Sequence, residues 1–236
     1  DRFISPSEFL RRRYIDWGVA AERIDVIRNA RPIDAAAKPA PSSPQPRQRN
    51  VFAYMGNINP NKGALVLLEA ARQLAARRPH EFKVEIHGGT PFQSDDFKSS
   101  FRDALTACAG HVTWHGAYAA ADAPKLMQAA DWMVMPSIWW ENAPLVIEEA
   151  FQQGRPVICS DIGGMAESVT HEVDGLTFRA GDAHALAAAM ERALVEPDLW
   201  QLLAAGITPR RTMAACVEDH LQLYRNLLTI AQRESA

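Results

Sequence analysis

The chain has 236 residues, 47% of them hydrophobic and 22% charged, and a formal net charge of -3. This is the profile of a globular protein, without the basic excess that marks a nucleic-acid partner. The three cysteines, Cys108, Cys159 and Cys216, are far apart and odd in number, which argues against a disulfide framework or zinc site and for buried free thiols. No apolar run reaches the roughly 18 residues of a membrane span, and no signal peptide opens the chain. Asp1 stands without an initiator methionine, so a fragment is expected.

In chain order, Phe3-Ile4-Ser5 predicts a strand, Phe9 to Trp17 a helix stopped by Gly18, and Ile24 to Ile27 a second strand. The Arg11-Arg12-Arg13 run could touch anionic lipid, although a solvated helix face is its commoner fate. Residues Ala35 to Asn50 are rich in proline, alanine and serine without periodicity, and predict a linker. Strands and helices then alternate. Strands are expected at Val51 to Met55, Phe82 to His87, His111 to His115, Trp132 to Met135, Pro156 to Ser160 and Leu176 to Phe178. Helices are expected at Ala64 to Arg77, Asp96 to Ala107, Asp122 to Ala129, Pro144 to Gln153, Met165 to Thr170 and Ala183 to Val195. Such alternation implies an α/β fold with a Rossmann-like, mostly parallel sheet covered by helices on both faces. Its ligands sit at the carboxyl ends of the strands. From Leu199 the chain is helical, broken at Gly206 and Pro209, and Met213 to Arg233 carries apolar residues at helical spacing.

Two turns carry chemistry. The first, Gly56-Asn57-Ile58-Asn59-Pro60-Asn61-Lys62-Gly63, is neither a P-loop nor a dinucleotide fingerprint. Gly56 lets a ligand approach the backbone, and Lys62 places a cation beside the next helix. The second turn joins the strand at Trp132 to the helix at Pro144. Proline suits the first helical position, so Asn142 or Ala143 is the expected cap, and the amides of Asn142 to Leu145 face an anion. Glu141 precedes this helix and Glu149 lies inside it, so a phosphorylated sugar could touch both carboxylates. In isolation, Glu141 serves as well to complement the helix dipole, and Glu149 as a solvated face residue.

The setting of Glu141 and Glu149, with seven residues between them, after Met135-Pro136-Ser137 and before Gly154-Arg155-Pro156, resembles the Glu-x7-Glu signature of retaining glycosyltransferases of family 4 (group 1). These enzymes have the GT-B fold. The resemblance covers about Phe52 to Arg225. It implies that Glu141 contacts the donor sugar, that Glu149 contacts the nucleotide ribose, and that Lys62 holds the diphosphate in a turn that also includes Gly56. Asn57 stands where arginine is usual, which removes a charge; Arg155 is one replacement to consider. Tyr118, after the third strand of the alternating region, could stack on the base, or be a half-buried aromatic. Trp139 and Trp140 flank the site in the loop and could line it, or equally serve as hydrophobic anchors of that loop. Gly163-Gly164-Met165-Ala166-Glu167 resembles the family's Gly-Gly-x-x-Glu turn, with Glu167 read as a capping or surface acid.

The resemblance further implies an organisation in which 1–34 is the tail of an N-terminal acceptor domain, 35–50 the linker, 51–211 the nucleotide-sugar-binding domain and 212–236 a closing helix. The expected function is retaining transfer from a nucleoside-diphosphate-sugar, with UDP, GDP and ADP all open as the carrier. The carbohydrate, lipid-linked or other acceptor would be held by the missing domain, and the fragment alone would be inactive. No cofactor and no metal are expected, since Asp-x-Asp occurs nowhere in the sequence. The expected location is cytoplasmic, with peripheral membrane association at the inner face left open. A non-catalytic sugar-nucleotide-binding module is the rival reading. A nucleotide-dependent oxidoreductase is disfavoured by the missing glycine fingerprint.

Overall fold

The computed structural model describes residues 2–32 and 48–234; the expected linker falls mostly outside them. Strands β1 (Phe3–Ser5) and β2 (Ile24–Val26) pair in parallel around helix α1 (Glu8–Asp16). Ser7 caps α1, its side chain accepting from the Leu10 amide at 3.1 Å.

The main sheet comprises β3 (Val51–Met55), β4 (Lys83–His87), β5 (Val112–Gly116), β6 (Trp132–Met135), β7 (Val157–Ser160) and β8 (Gly175–Phe178). All pairings are parallel, in the order β5-β4-β3-β6-β7-β8. Between them run α2 (Ala64–Arg77), α3 (Asp95–Thr106), α4 (Ala123–Ala129), α5 (Leu145–Gln152) and α6 (Gly163–Ser168), followed after β8 by α7 (Ala183–Val195), α8 (Leu199–Gly206) and α9 (Met213–Glu234).

Successive strand residues point to opposite faces, and each face has its own core. Phe52, Tyr54, Trp132, Val134, Ile158 and Leu176 pack against α2, α3, α7 and α8. Ala53, Met55, Met133, Met135, Val157 and Cys159 pack against α4, α5 and α6. Strands buried on both sides explain the near-continuous apolar runs in the sequence. The strand order reverses direction between β3 and β6, so the loops leaving their carboxyl ends diverge and open a crevice. On α9, by contrast, Val217, Leu221, Tyr224 and Leu228 remain exposed.

Several helix starts differ from expectation by a residue or two, and those of α5 and α6 bear on the site. Helix α5 begins at Leu145, and Pro144 is its cap, with ψ of 110° and no side-chain hydrogen bond. Neither Asn142 nor Ala143 caps it, because the Pro144 carbonyl already accepts from the Ile147 amide at 3.1 Å. Helix α6 begins at Gly163 rather than Met165. The glycines are required there: a Cβ on Gly164 would stand 2.3 Å from the Asn142 carbonyl oxygen.

Candidate functional site

The crevice is floored by glycine. Gly56, at φ +141°, donates to the His87 carbonyl at 3.0 Å, and Ile58 donates to Gly89 at 2.8 Å. A Cβ on Gly88 would lie 1.9 Å from the Gly56 oxygen. The turn after β3 therefore rests on the end of β4 with no side chain between them. Gly56, Asn57, Gly88, Gly89, Ala117 and Tyr118 line a cleft of about 240 Å³.

Lys62 ends a 3-10 turn whose amides at Asn61 and Lys62 donate to Asn59 Oδ1 at 3.0 and 3.1 Å. Its Nζ meets Glu141 Oε1 at 2.7 Å, and Ser137 Oγ donates to the same oxygen at 2.6 Å. The loops carrying this pair are tied together by the Ile138 amide on the Asn61 carbonyl at 2.9 Å. The Gly164 amide, at 2.6 Å from the Glu141 carbonyl, braces the far side. Glu141 is thus aimed from three elements. Sequence reasoning quoted Ser137 but gave it no role.

Glu149 pairs with Arg31, and the two line an adjoining cleft of about 210 Å³ with Pro124, Met127, Gln152 and Ala120. Ala120 belongs to both clefts. Electrostatics join the parts. Burial pushes the Tyr118 phenol up, as does the Glu149 carboxylate, while Arg31 opposes them. Burial likewise raises the Tyr54 phenol, and Glu141 and then Tyr118 add to it. Tyr54 Oη donates to the Asn57 carbonyl at 2.9 Å, beneath the first turn. Through these charges Glu141 acts on Tyr54, and Glu149 and Arg31 act on Tyr118.

Other expected residues are placed differently. Ala143 and Pro144 face a small cleft shared with Pro6, Ser7, Arg28 and Glu167, while Asn142 is exposed and Leu145 half-buried. Arg155 does not reach the crevice. It lies before β7, at the opposite end of the sheet, donating to the Gln128 carbonyl at 3.0 Å. Glu167 accepts from the amides of Glu8 and Phe9 at 3.1 and 2.7 Å, and so caps α1 from a distant element. Trp140 lies under Arg13, whose guanidinium is 4.0 Å from the ring centroid, whereas Trp139 is 57% exposed. Arg11 donates to the carbonyls of Ile24 and Ala21 at 3.0 Å each. Among the described residues no three His, Cys, Asp or Glu side chains converge as metal ligands, and no helix is long and apolar enough to cross a membrane.

A family model described as glycosyl transferases group 1 matches residues 49–196. Putative glycosyltransferase YtcC of Bacillus subtilis is 31% identical over 156 residues, 64% of this chain and 38% of the relative. The D-inositol 3-phosphate glycosyltransferase of Salinispora arenicola is 31% identical over 167 residues, 68% of this chain and 37% of the relative. The chain thus spans 37–38% of the length of these relatives. Anabaena Alr3699/HepE, solved in complex with UDP and glucose, superposes with a TM-score of 0.79 at 24% identity, covering 97% of this chain and 63% of that one. The likeness places the parallel sheet as the Rossmann-like half of a GT-B fold. With the family model spanning more than half of its residues, the chain belongs to the glycosyl transferases group 1.

Proposed function

We propose that this chain is the donor-binding half of a retaining, family 4-like glycosyltransferase, which moves a sugar from a nucleoside diphosphate to an acceptor held by a further domain. The observation that carries the reading is the contact of Lys62 with Glu141, 2.7 Å apart on loops from either side of the switch point. As the glycosidic bond to phosphate breaks, negative charge grows on the leaving diphosphate and positive character on the sugar carbon. Lys62 meets the first, and Glu141 is set against the sugar. Before donor binds, Lys62 and Glu141 neutralise each other, so neither charge stands alone in the crevice.

Glu149 takes the ribose and Tyr118 the base. UDP is the nucleotide we favour, because the Anabaena relative holds it. The D-inositol 3-phosphate in a relative's name makes a phosphorylated acceptor the first to try. The transfer is proposed as metal-independent, resting on the lack of Asp-x-Asp in the sequence. The exposed apolar stripe of α9 would dock on the acceptor domain. Arg11 is committed to backbone carbonyls and Arg13 to Trp140, so Arg12 is the exposed cation that this run would offer to the inner face of a membrane.

Calorimetry tests the reading. Lys62→Ala should weaken UDP binding on the order of tenfold or more, as expected for losing a charged hydrogen bond; an unchanged affinity removes Lys62 from the site. In the full-length protein, Glu141→Ala should abolish sugar transfer, and UDP-sugar binding without any turnover by the unaltered enzyme would instead leave a binding module.

A further inference from the structure

The proposed donor site is short of positive charge. Lys62 is balanced by Glu141 and Glu149 adds a second negative charge, while Asn57, exposed on the cleft wall, is neutral. A diphosphate entering such a site would be repelled unless another cation lies at hand. Arg28, Arg210 and Arg155 are committed elsewhere. Arg28 binds Glu167 at 3.0 Å. Arg210 lies between Glu148 and Asp174, at 3.7 and 3.6 Å, with its guanidinium over the Phe151 ring. Arg155 is at the wrong end of the sheet.

Arg31 differs. Both of its ends are held by α5: its guanidinium by Glu149, and its carbonyl by Gln152 Nε2 at 3.5 Å, one helical turn further on. Its side chain is nevertheless 42% exposed, and it lines the cleft that joins the Asn57–Tyr118 cleft at Ala120. Tyr118 lies close enough to feel its charge. A guanidinium has five N–H donors, and a carboxylate engages only some of them.

We propose that Arg31, oriented by Glu149, is a diphosphate-binding residue of the donor site and supplies the charge that Asn57 does not. Glu149 then has two tasks, to accept from the ribose and to aim the guanidinium. The inference rests on the donor-site reading above, and uridine separates the two, because it has the base and ribose but no phosphate.

The 236-residue chain and its Arg31→Gln variant would be titrated with UDP and with uridine, followed by NMR. The expected result is a loss of UDP affinity on the order of tenfold or more in Arg31→Gln, with uridine affinity unchanged. UDP binding that is equal or tighter in the variant overturns the proposal and leaves the donor site standing, with Arg31 reduced to a plug on Glu149. Equal weakening of UDP and uridine overturns it too, since Arg31 would then only support the cleft. If the unaltered chain binds neither UDP nor uridine, the donor-site reading falls and the proposal with it.

Discussion

Both ends of the sheet gather arginines, carboxylates and aromatic rings, and they use them differently. At the amino ends of the strands, Asp131 is fully buried and accepts from the Val51 amide at 3.0 Å and from Arg49 at 3.3 Å. Arg49 stacks on Trp200, 3.8 Å from its centroid, and the indoles of Trp132 and Trp200 donate to backbone carbonyls at 2.9 and 2.8 Å. There the polar side chains satisfy the protein's own backbone. At the carboxyl ends, Lys62 and Arg31 pair with Glu141 and Glu149, side chain to side chain, and the Arg31–Glu149 pair lines an open cleft. A ligand can displace a pair of part-exposed side chains; it cannot displace a buried carboxylate that holds a strand. The first cluster is a fastening and the second a docking place.

Substitutions at the two ends should therefore separate. The largest effect is expected from Asp131→Ala, which leaves Arg49 and the Val51 amide without their acceptor. Removing one partner of a buried pair costs about 3–5 kcal/mol, read as a lower urea midpoint at unchanged slope. A loss below about 1 kcal/mol, the range of an exposed pair, would erase the contrast between the ends. Next comes Gly88→Ala. The added Cβ would meet the Gly56 oxygen at 1.9 Å, a backbone atom that cannot swing away, so overpacking should cost about 1–3 kcal/mol. UDP binding should fall with it, because the turn carrying Asn57 and Lys62 is displaced. A variant with full UDP affinity would show that the glycine floor does not position that turn.

What the sequence revealed follows the same division. The strands and α2 were legible because they are buried on both faces or amphipathic, and their boundaries depend on local chemistry. Lys62 and Glu141 are 79 residues apart, and topology accounts for their meeting: each follows a parallel strand, and all such loops open at one end. The rule also shows why Arg155 misled. It is close in sequence to Glu149, but it precedes a strand, and residues before parallel strands lie at the far end. Arg31 was not legible as a partner of Glu149, 118 residues away, since it belongs to the segment before the main sheet and no strand end announces it. The α6 start was misread because Gly163 and Gly164 look like turn residues, whereas close packing against the Glu141–Asn142 backbone is what demands them.

The smallest effect sharpens the comparison through pH. His87 is 8% exposed at the end of β4, its ring stacked on His115 at 4.6 Å, and His115 Nε2 is 2.6 Å from Glu85 Oε2. Burial pushes the His87 imidazole below its ordinary value of 6.5, the neighbouring His115 adds to this, and Glu85 opposes it. The unfolded chain takes up a proton near that ordinary value while the folded chain resists it. His87 therefore contributes stability that is fully present above 6.5 and is lost as pH falls through 6.5 toward the folded value. Urea unfolding from about pH 7.5 to about 5.5 should show stability declining, and His87→Gln should flatten the decline. An unchanged slope in the variant would mean that the His87–His115 stack does not resist a proton and that burial of this ring does not set the pH dependence.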